Sequence, residues 1–401
     1  MIIPILVSVS TALVSTLPLL LILDVSGASG ATTTTATSMS MATGVAATAA
    51  ACNNSPSLCS RAYTNVTYMG AHDSPFLRDA STGNSIAGDQ YYNATVALDG
   101  GIRLLQGQVH DLNGRLELCH TSCALLDAGS LESWLSKIRH WMDGNPNEVV
   151  TLLLVNSDSK NASAFGGDFE ASGISKYGYT PRSPTAAASS SSSSSTTTTG
   201  GWPTLQELID KDKRLVTFIA PLPAYSPSYP YLLDEFTHVF ETPYDVKSLD
   251  NFTCNLDRPA AKYSSVADAI EAGMMPLMNH FAYTEITSDI EIPNAGDVDT
   301  TNSPSNTTTG ALGAHAQRCE SEWTGAKPVF ILVDFFDRGP AIDAADALNG
   351  IQGKTMGRES PGQSSTSDSA ARATSSMRGD MGTTTRAVAL VAFCAVALVI
   401  L

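Results

Sequence analysis

The chain is short of charge, and shorter still of positive charge. Asp, Glu, Lys and Arg make up 15% of its 401 residues, and 39 acids outnumber 23 bases, for a formal net charge of −16. A field of that sign repels polyanions, so no nucleic acid partner is expected. It also gives no electrostatic pull toward anionic lipid surfaces. There is no paired C-x-x-C spacing of the zinc-module kind, and no metal ligand set is read from the cysteines. There is no Gly-rich phosphate loop of the GxGxxG or P-loop type, which disfavours the nucleotide-binding open sheets. Lys and Arg are missing from the apolar opening run "MIIPILVSVSTALVSTLPLLLILDVSGASGA".

That run ends in small residues and reads as a secretory signal peptide over residues 1–28, with an uncleaved anchor as the alternative. The other terminus, residues 387–401, is apolar to the last residue but shorter than the ~20 residues of a spanning helix. Small residues at Ala373, Thr374 and Ser375 and a polar spacer precede it. That is the layout of a glycosylphosphatidylinositol (GPI) attachment signal, with a tail-anchored helix as the alternative. Of seven cysteines, Cys394 lies in this tail and six remain. An even set in a secretory chain suggests disulfides. Proximity pairs Cys52 with Cys59 and Cys119 with Cys123, and elimination leaves Cys254 with Cys319; other pairings stay open. Sequons at Asn53, Asn65, Asn93, Asn161, Asn251 and Asn306 fit a glycosylated ectodomain. The expected location is the extracellular face of the plasma membrane or the cell wall.

Two low-complexity stretches divide the chain. Residues 183–201, "SPTAAASSSSSSSTTTTGG", cannot bury apolar surface and read as a disordered surface insert. Residues 352–386 read as a Ser/Thr-rich stalk. Between them, residues 52–351 are sized for one large domain. Inside it, strand-like runs such as "EVVTLLLVNS", "RLVTFIA", "THVFET", "MMPLMNHF" and "PVFILVDFF" alternate with helical pieces. In "SLESWLSKIRHWMDGNP", Leu131, Trp134, Leu135, Ile138, Trp141 and Met142 share one helical face, Ser130 is the N-cap, and Gly144 and Pro146 mark the stop. Alternation over this length predicts an α/β fold with a parallel barrel, and a doubly wound sheet is the alternative. Functional groups then gather at the C-terminal ends of the strands. His72 and Asp73 end the first strand, Gln106 and Gln108 lie on the second, His120 ends the next, and Asp334 lies late in the last.

"GAHDSPF", "GIRLLQGQVHDLNGRLELCHTSC" and "NPNEVVTLLLVNSD", with "PVFILVDFF" far downstream, resemble the X-region of phosphatidylinositol-specific phospholipases C. The likeness runs from Tyr63 to Gly350, and is nearest to secreted fungal PLC-like phosphodiesterases with a GPI-type tail. It implies a distorted, incompletely closed TIM barrel. The family's chemistry is attack of an inositol hydroxyl on the adjacent phosphodiester, served by two histidines and without a cofactor. Paired imidazoles suit this because their ordinary pKa lies near 6.5. Position by position, His72 matches the general base and Asp334 the carboxylate that orients it. His120 matches the general acid and Asp73 its supporting carboxylate.

The pattern then departs. The bacterial enzymes place a phosphate-clamping Arg where this chain has Gln108. The calcium-dependent branch places carboxylates where this chain has Gln106, Gln108 and Val155, so no calcium site of that design is expected. Arg103, Asn279 and His280 are further candidates for substrate binding, though Arg103 reads first as a structural ion-pair partner. The expected partners are a phospholipid or glycolipid headgroup, and the membrane through the anchor; nothing points to oligomers. The rival reading is a non-catalytic surface barrel that binds phospho-inositol or cell-wall glycan through a degenerate site.

Overall fold

The structure is a computed structural model that describes residues 50–186, 201–287 and 290–361. The expected signal peptide, most of the Ser/Thr insert, the stalk beyond 361 and the apolar tail lie outside the described residues.

Twelve strands are present among the described residues. They are β1 (Tyr68–Ala71), β2 (Leu104–Leu112), β3 (Arg115–Cys119), β4 (Asp127–Ser130), β5 (Val150–Asn156) and β6 (Leu215–Ala220), then β7 (Leu232–Asp234), β8 (Val239–Glu241), β9 (Met275–Asn279), β10 (Tyr283–Thr287), β11 (Ile290–Pro293) and β12 (Phe330–Val333). Eight of them run parallel in the order β7-β6-β5-β2-β1-β12-β9-β8. The sheet curls into an open barrel with β7 and β8 at its two edges, joined in sequence by the short helix Glu235–His238. The predicted strand in "THVFET" therefore begins only at Val239, since Thr237 and His238 complete that helical turn.

Alternation along each strand sorts side chains into two layers, because successive Cβ atoms point to opposite faces. Tyr68, Leu104, Leu153, Val216, Phe218, Val239, Met275, Leu277, Phe330 and Leu332 fill the interior. Met69, Ala71, Leu105, Leu152, Leu154, Ile219, Met278, Ile331 and Val333 face outward and pack under the helices. Gly70 on the inner face leaves room for Leu104, since a Cβ there would come within 2.8 Å of it. "LLLV" is thus an unbroken apolar run because β5 is covered on both faces.

The helix Leu131–Gly144 buries all six residues of its predicted face, and the Ser130 side chain accepts the Ser133 N–H. Such a cap is worth roughly 1 kcal/mol. The three disulfides join Cys52 to Cys59, Cys119 to Cys123 and Cys254 to Cys319. Residues past the last helix bond back to the barrel. Arg358 pairs with both carboxylate oxygens of Asp346, and the Glu359 N–H donates to Asp99 O.

Candidate functional site

The same alternation that fills the barrel also aims its polar residues. Continuing the inner face past each strand's apolar residues reaches His72 after β1, Gln106 and Gln108 on β2, Glu241 on β8, Asn279 on β9 and Asp334 after β12. Chain reversal brings in the second imidazole. β2 overruns its parallel neighbours to Leu112, turns at Asn113-Gly114, and returns as β3. Asn113 and Gly114 take φ of 57° and 86°, the left-handed pair that a tight hairpin of this hand requires. His120 follows β3 directly. The Cys119–Cys123 disulfide flanks it, and its N–H donates to Leu126 O.

His72 Nδ1 is hydrogen-bonded to Asp334 Oδ1 at 2.8 Å. Its Nε2 lies 3.7 Å from Asp73 Oδ2, and that same oxygen lies 3.4 Å from His120 Nε2. The two rings therefore converge on one carboxylate, with only 6% and 7% of their residue surface exposed. Phe281 stacks on His72 at 3.7 Å between ring centres, and Phe76 meets His120 edge-on at 5.1 Å. The floor is rigid. The Gln106 side-chain oxygen accepts the Asp73 N–H at 2.6 Å, and Gln108 Nε2 donates to Asp73 Oδ2 at 3.1 Å. Gln108 Oε1 accepts the Thr121 N–H, so one amide ties Asp73 to the loop that carries His120.

The electrostatics of the two rings differ. Burial opposes a charge on His72, but the Asp73 and Asp334 carboxylates outweigh it and hold its pKa above the ordinary 6.5. For His120 burial wins over Asp73, and the nearby His72 adds to it, so its pKa falls.

A third acid, Asp89, was not anticipated from the sequence. It is fully buried, with Oδ1 3.8 Å from His72 Nδ1 and Oδ2 3.5 Å from His120 Nε2. Glu241, inward at the end of β8, was missed as well; it accepts from Asn279 Nδ2 and pairs with Arg258. Both sit where the barrel rule puts function, one in the loop after β1 and one at a strand terminus.

Several candidates fall elsewhere. Arg103 does not reach the site. It lies one residue before β2, in odd parity with Leu105, and its guanidinium is spent on Glu148, Leu98 O and Asn54. The structural ion pair, the first reading of this residue, is what the structure contains. Asn279 lines the inner face, but its amide is bonded to Glu241 and Thr242 O. His280 turns away, fully buried, with Nδ1 2.9 Å from His315 Nδ1 and Nε2 2.8 Å from Thr301 O. A cavity of about 500 Å³ lies at the opposite end of the strands, against Thr67, Met275 and Lys327, and contains none of these groups.

Donor atoms close enough to share a metal ion occur in two places among the described residues, Cys254/His315/Cys319 and His72/Asp73/Asp89. The first pair of sulfurs is spent on a disulfide. In the second, His72 Nδ1 is bonded to Asp334 and Asp73 Oδ2 to Gln108, which is the pattern of an ion-pair network. The two buried imidazoles thus hold protons with different affinity, His72 more tightly than an ordinary imidazole and His120 less tightly.

Fold and site together define an α/β barrel with paired imidazoles at the C-terminal mouth. Residues 58–349 match the sequence profile of the family described as PI-PLC X 1, and the chain belongs to that family. It is 37% identical over 302 residues to the PI-PLC X domain-containing protein 1 of Arthroderma benhamiae, covering 75% of this chain and 90% of that one. It is 36% identical over 316 residues to an uncharacterized secreted protein of the same fungus, covering 77% of this chain and 66% of that one. Among solved structures, the phosphatidylinositol-specific phospholipase C of Listeria monocytogenes is similar over 72% of this chain and 95% of its own, with a TM-score of 0.46 and 16% identity.

Proposed function

We propose that the protein is a secreted phosphodiesterase that cleaves the phosphodiester of an inositol-type phospholipid or glycolipid headgroup by acid/base catalysis. The observation that carries this reading is the convergence of His72 and His120, from distant parts of the chain, on Asp73 Oδ2.

In this reading His72, neutral only above its raised pKa, takes the proton of a ring hydroxyl at Nε2 as that oxygen bonds to phosphorus. The bond from phosphorus to the leaving alkoxide breaks, and His120 gives that alkoxide a proton. The products are a cyclic phosphate and an alcohol. Asp334 fixes the His72 tautomer by holding Nδ1, so that Nε2 is the free nitrogen. Asp73 supports His120 and is itself held by Gln106 and Gln108. An arriving phosphate anion raises the proton affinity of His120, coupling the charging of the acid to substrate binding. No step calls on a metal. The secreted relative and the apolar termini support an extracellular location, and the tail supports a GPI anchor.

The test is to incubate the purified ectodomain with phosphatidylinositol and with GPI-linked protein, with and without a chelator. The reading expects chelator-resistant release of phosphorylated inositol that is absent from a His72→Ala/His120→Ala double variant. Headgroup binding without turnover, equal in both proteins, would instead favour a binding barrel, which Gln108 at the phosphate-clamp position also suits. Activity lost on chelation would overturn the metal-free step.

A further inference from the structure

Asp89 sits at a price the fold does not recover. Both of its carboxylate oxygens are buried and neither has a hydrogen-bond partner. An unpaired buried carboxylate destabilises a fold, and natural chains retain one where it serves something else. The backbone around it is fixed. The Asp89 N–H donates to Phe76 O, the Phe335 N–H donates to Asp89 O, and both bonds are 2.9 Å. The next residue, Gln90, donates from its side chain to His72 O and Val333 O and accepts the Phe336 N–H. Asp89-Gln90 is therefore a buckle across the ends of β1 and β12, and it presents one carboxylate oxygen to each imidazole.

We infer that Asp89 is a positioning residue that couples the protonation of His72 to that of His120, so that the two rings titrate as one unit. This rests on the reading of the two histidines as the reacting pair. The charged and titratable groups around Asp89 are His72, His120, Asp73, Asp334, Arg78 and Tyr283. Burial, with Asp334 and Asp73, pushes the Asp89 carboxyl well above the usual carboxylate range, and Arg78 opposes this. A carboxyl whose proton affinity is raised, set between two imidazoles, can exchange a proton with them as either ring changes charge.

The test is Asp89→Asn, which keeps the shape and removes the titration. Histidine ring NMR follows both midpoints without substrate, so its outcome does not depend on whether the protein turns anything over. Both midpoints should move, and the broadened, shared curves of the parent should resolve into two simple one-proton curves, while the melting temperature stays level or rises. Movement of only one ring, or of neither, overturns the inference. So does a variant that fails to fold or melts well below the parent, because the side chain would then be structural. A melting temperature raised by Mg²⁺ or Ca²⁺ in the parent but not in the variant would also overturn it, in favour of a bound cation.

Discussion

His72 Nδ1 lies 2.8 Å from Asp334 Oδ1, although 262 residues separate them in sequence. The parallel pairing of β1 with β12 produces this contact, because Ala71 lies opposite Val333 and the next residue on each strand points inward. Replacing Asp334 by Asn removes the charge and leaves a carboxamide that can bond the wrong tautomer. Turnover should fall about 10²- to 10⁴-fold. The carboxylate raises the proton affinity of His72, so its loss should move the acidic limb of the kcat/KM profile to lower pH. A pH–rate profile of the variant checks both statements.

The disulfides should separate stability from function. Cys254–Cys319 closes a loop of 65 residues and lies against His315 rather than framing His120, and chain entropy assigns such a loop about 4 kcal/mol. Cys119–Cys123 closes a loop of 4 residues, assigned about 2 kcal/mol, but it frames His120. Removing the first pair should lower the urea midpoint more and spare turnover in the folded protein. Removing the second should cost less stability and more turnover. Denaturation curves and rates on the two double Ala variants decide this.

Gln108 bonds both Asp73 and the Thr121 N–H, so it braces Asp73 against the loop that carries His120. Gln108→Arg adds a charge complementary to the phosphorane. Arg cannot accept the Thr121 N–H, so the variant trades that half of the brace for the charge, and the expected net result is a gain in turnover of up to about 10²-fold. Gln108→Ala should lower turnover by releasing both Asp73 and the His120 loop. Steady-state rates on phosphatidylinositol measure both.

The His280–His315 pair should make the fold acid-sensitive. Burial lowers the pKa of His280 to about 4 from 6.5, and burial followed by His280 lowers that of His315. Between those pH values the unfolded chain binds protons that the native pair refuses. This contribution to stability is present above the unfolded pKa and is lost as pH falls. The urea midpoint should drop over that window, and the His280 ring signal should stay in its neutral position down to about pH 5.

Much of the barrel was legible in the sequence because its strands are covered on both faces. "LLLV" in β5 and "FILV" in β12 are apolar without a break, and the helix of Trp134 and Trp141 carries its cap, its face and its stop together. His72, His120, Asp73 and Asp334 could be placed at strand ends from the same reasoning. Arg103 was legible as a structural ion-pair partner, because its odd position against Gln106 and Gln108 already turns it from their face. Asp89, by contrast, was hidden. It lies in a loop with no periodicity, and only the buckle made by Gln90 brings it back to the rings. The helix in front of β8 was masked by Phe240 and its neighbours, whose apolar character suits either state.

The central claim is that the two imidazoles act as one catalytic unit, and single and double substitution tests it most directly. Phosphatidylinositol turnover should fall about 10²- to 10⁴-fold in His72→Ala and in His120→Ala, with little further loss in the double variant. Parental turnover in either folded single variant would contradict the account.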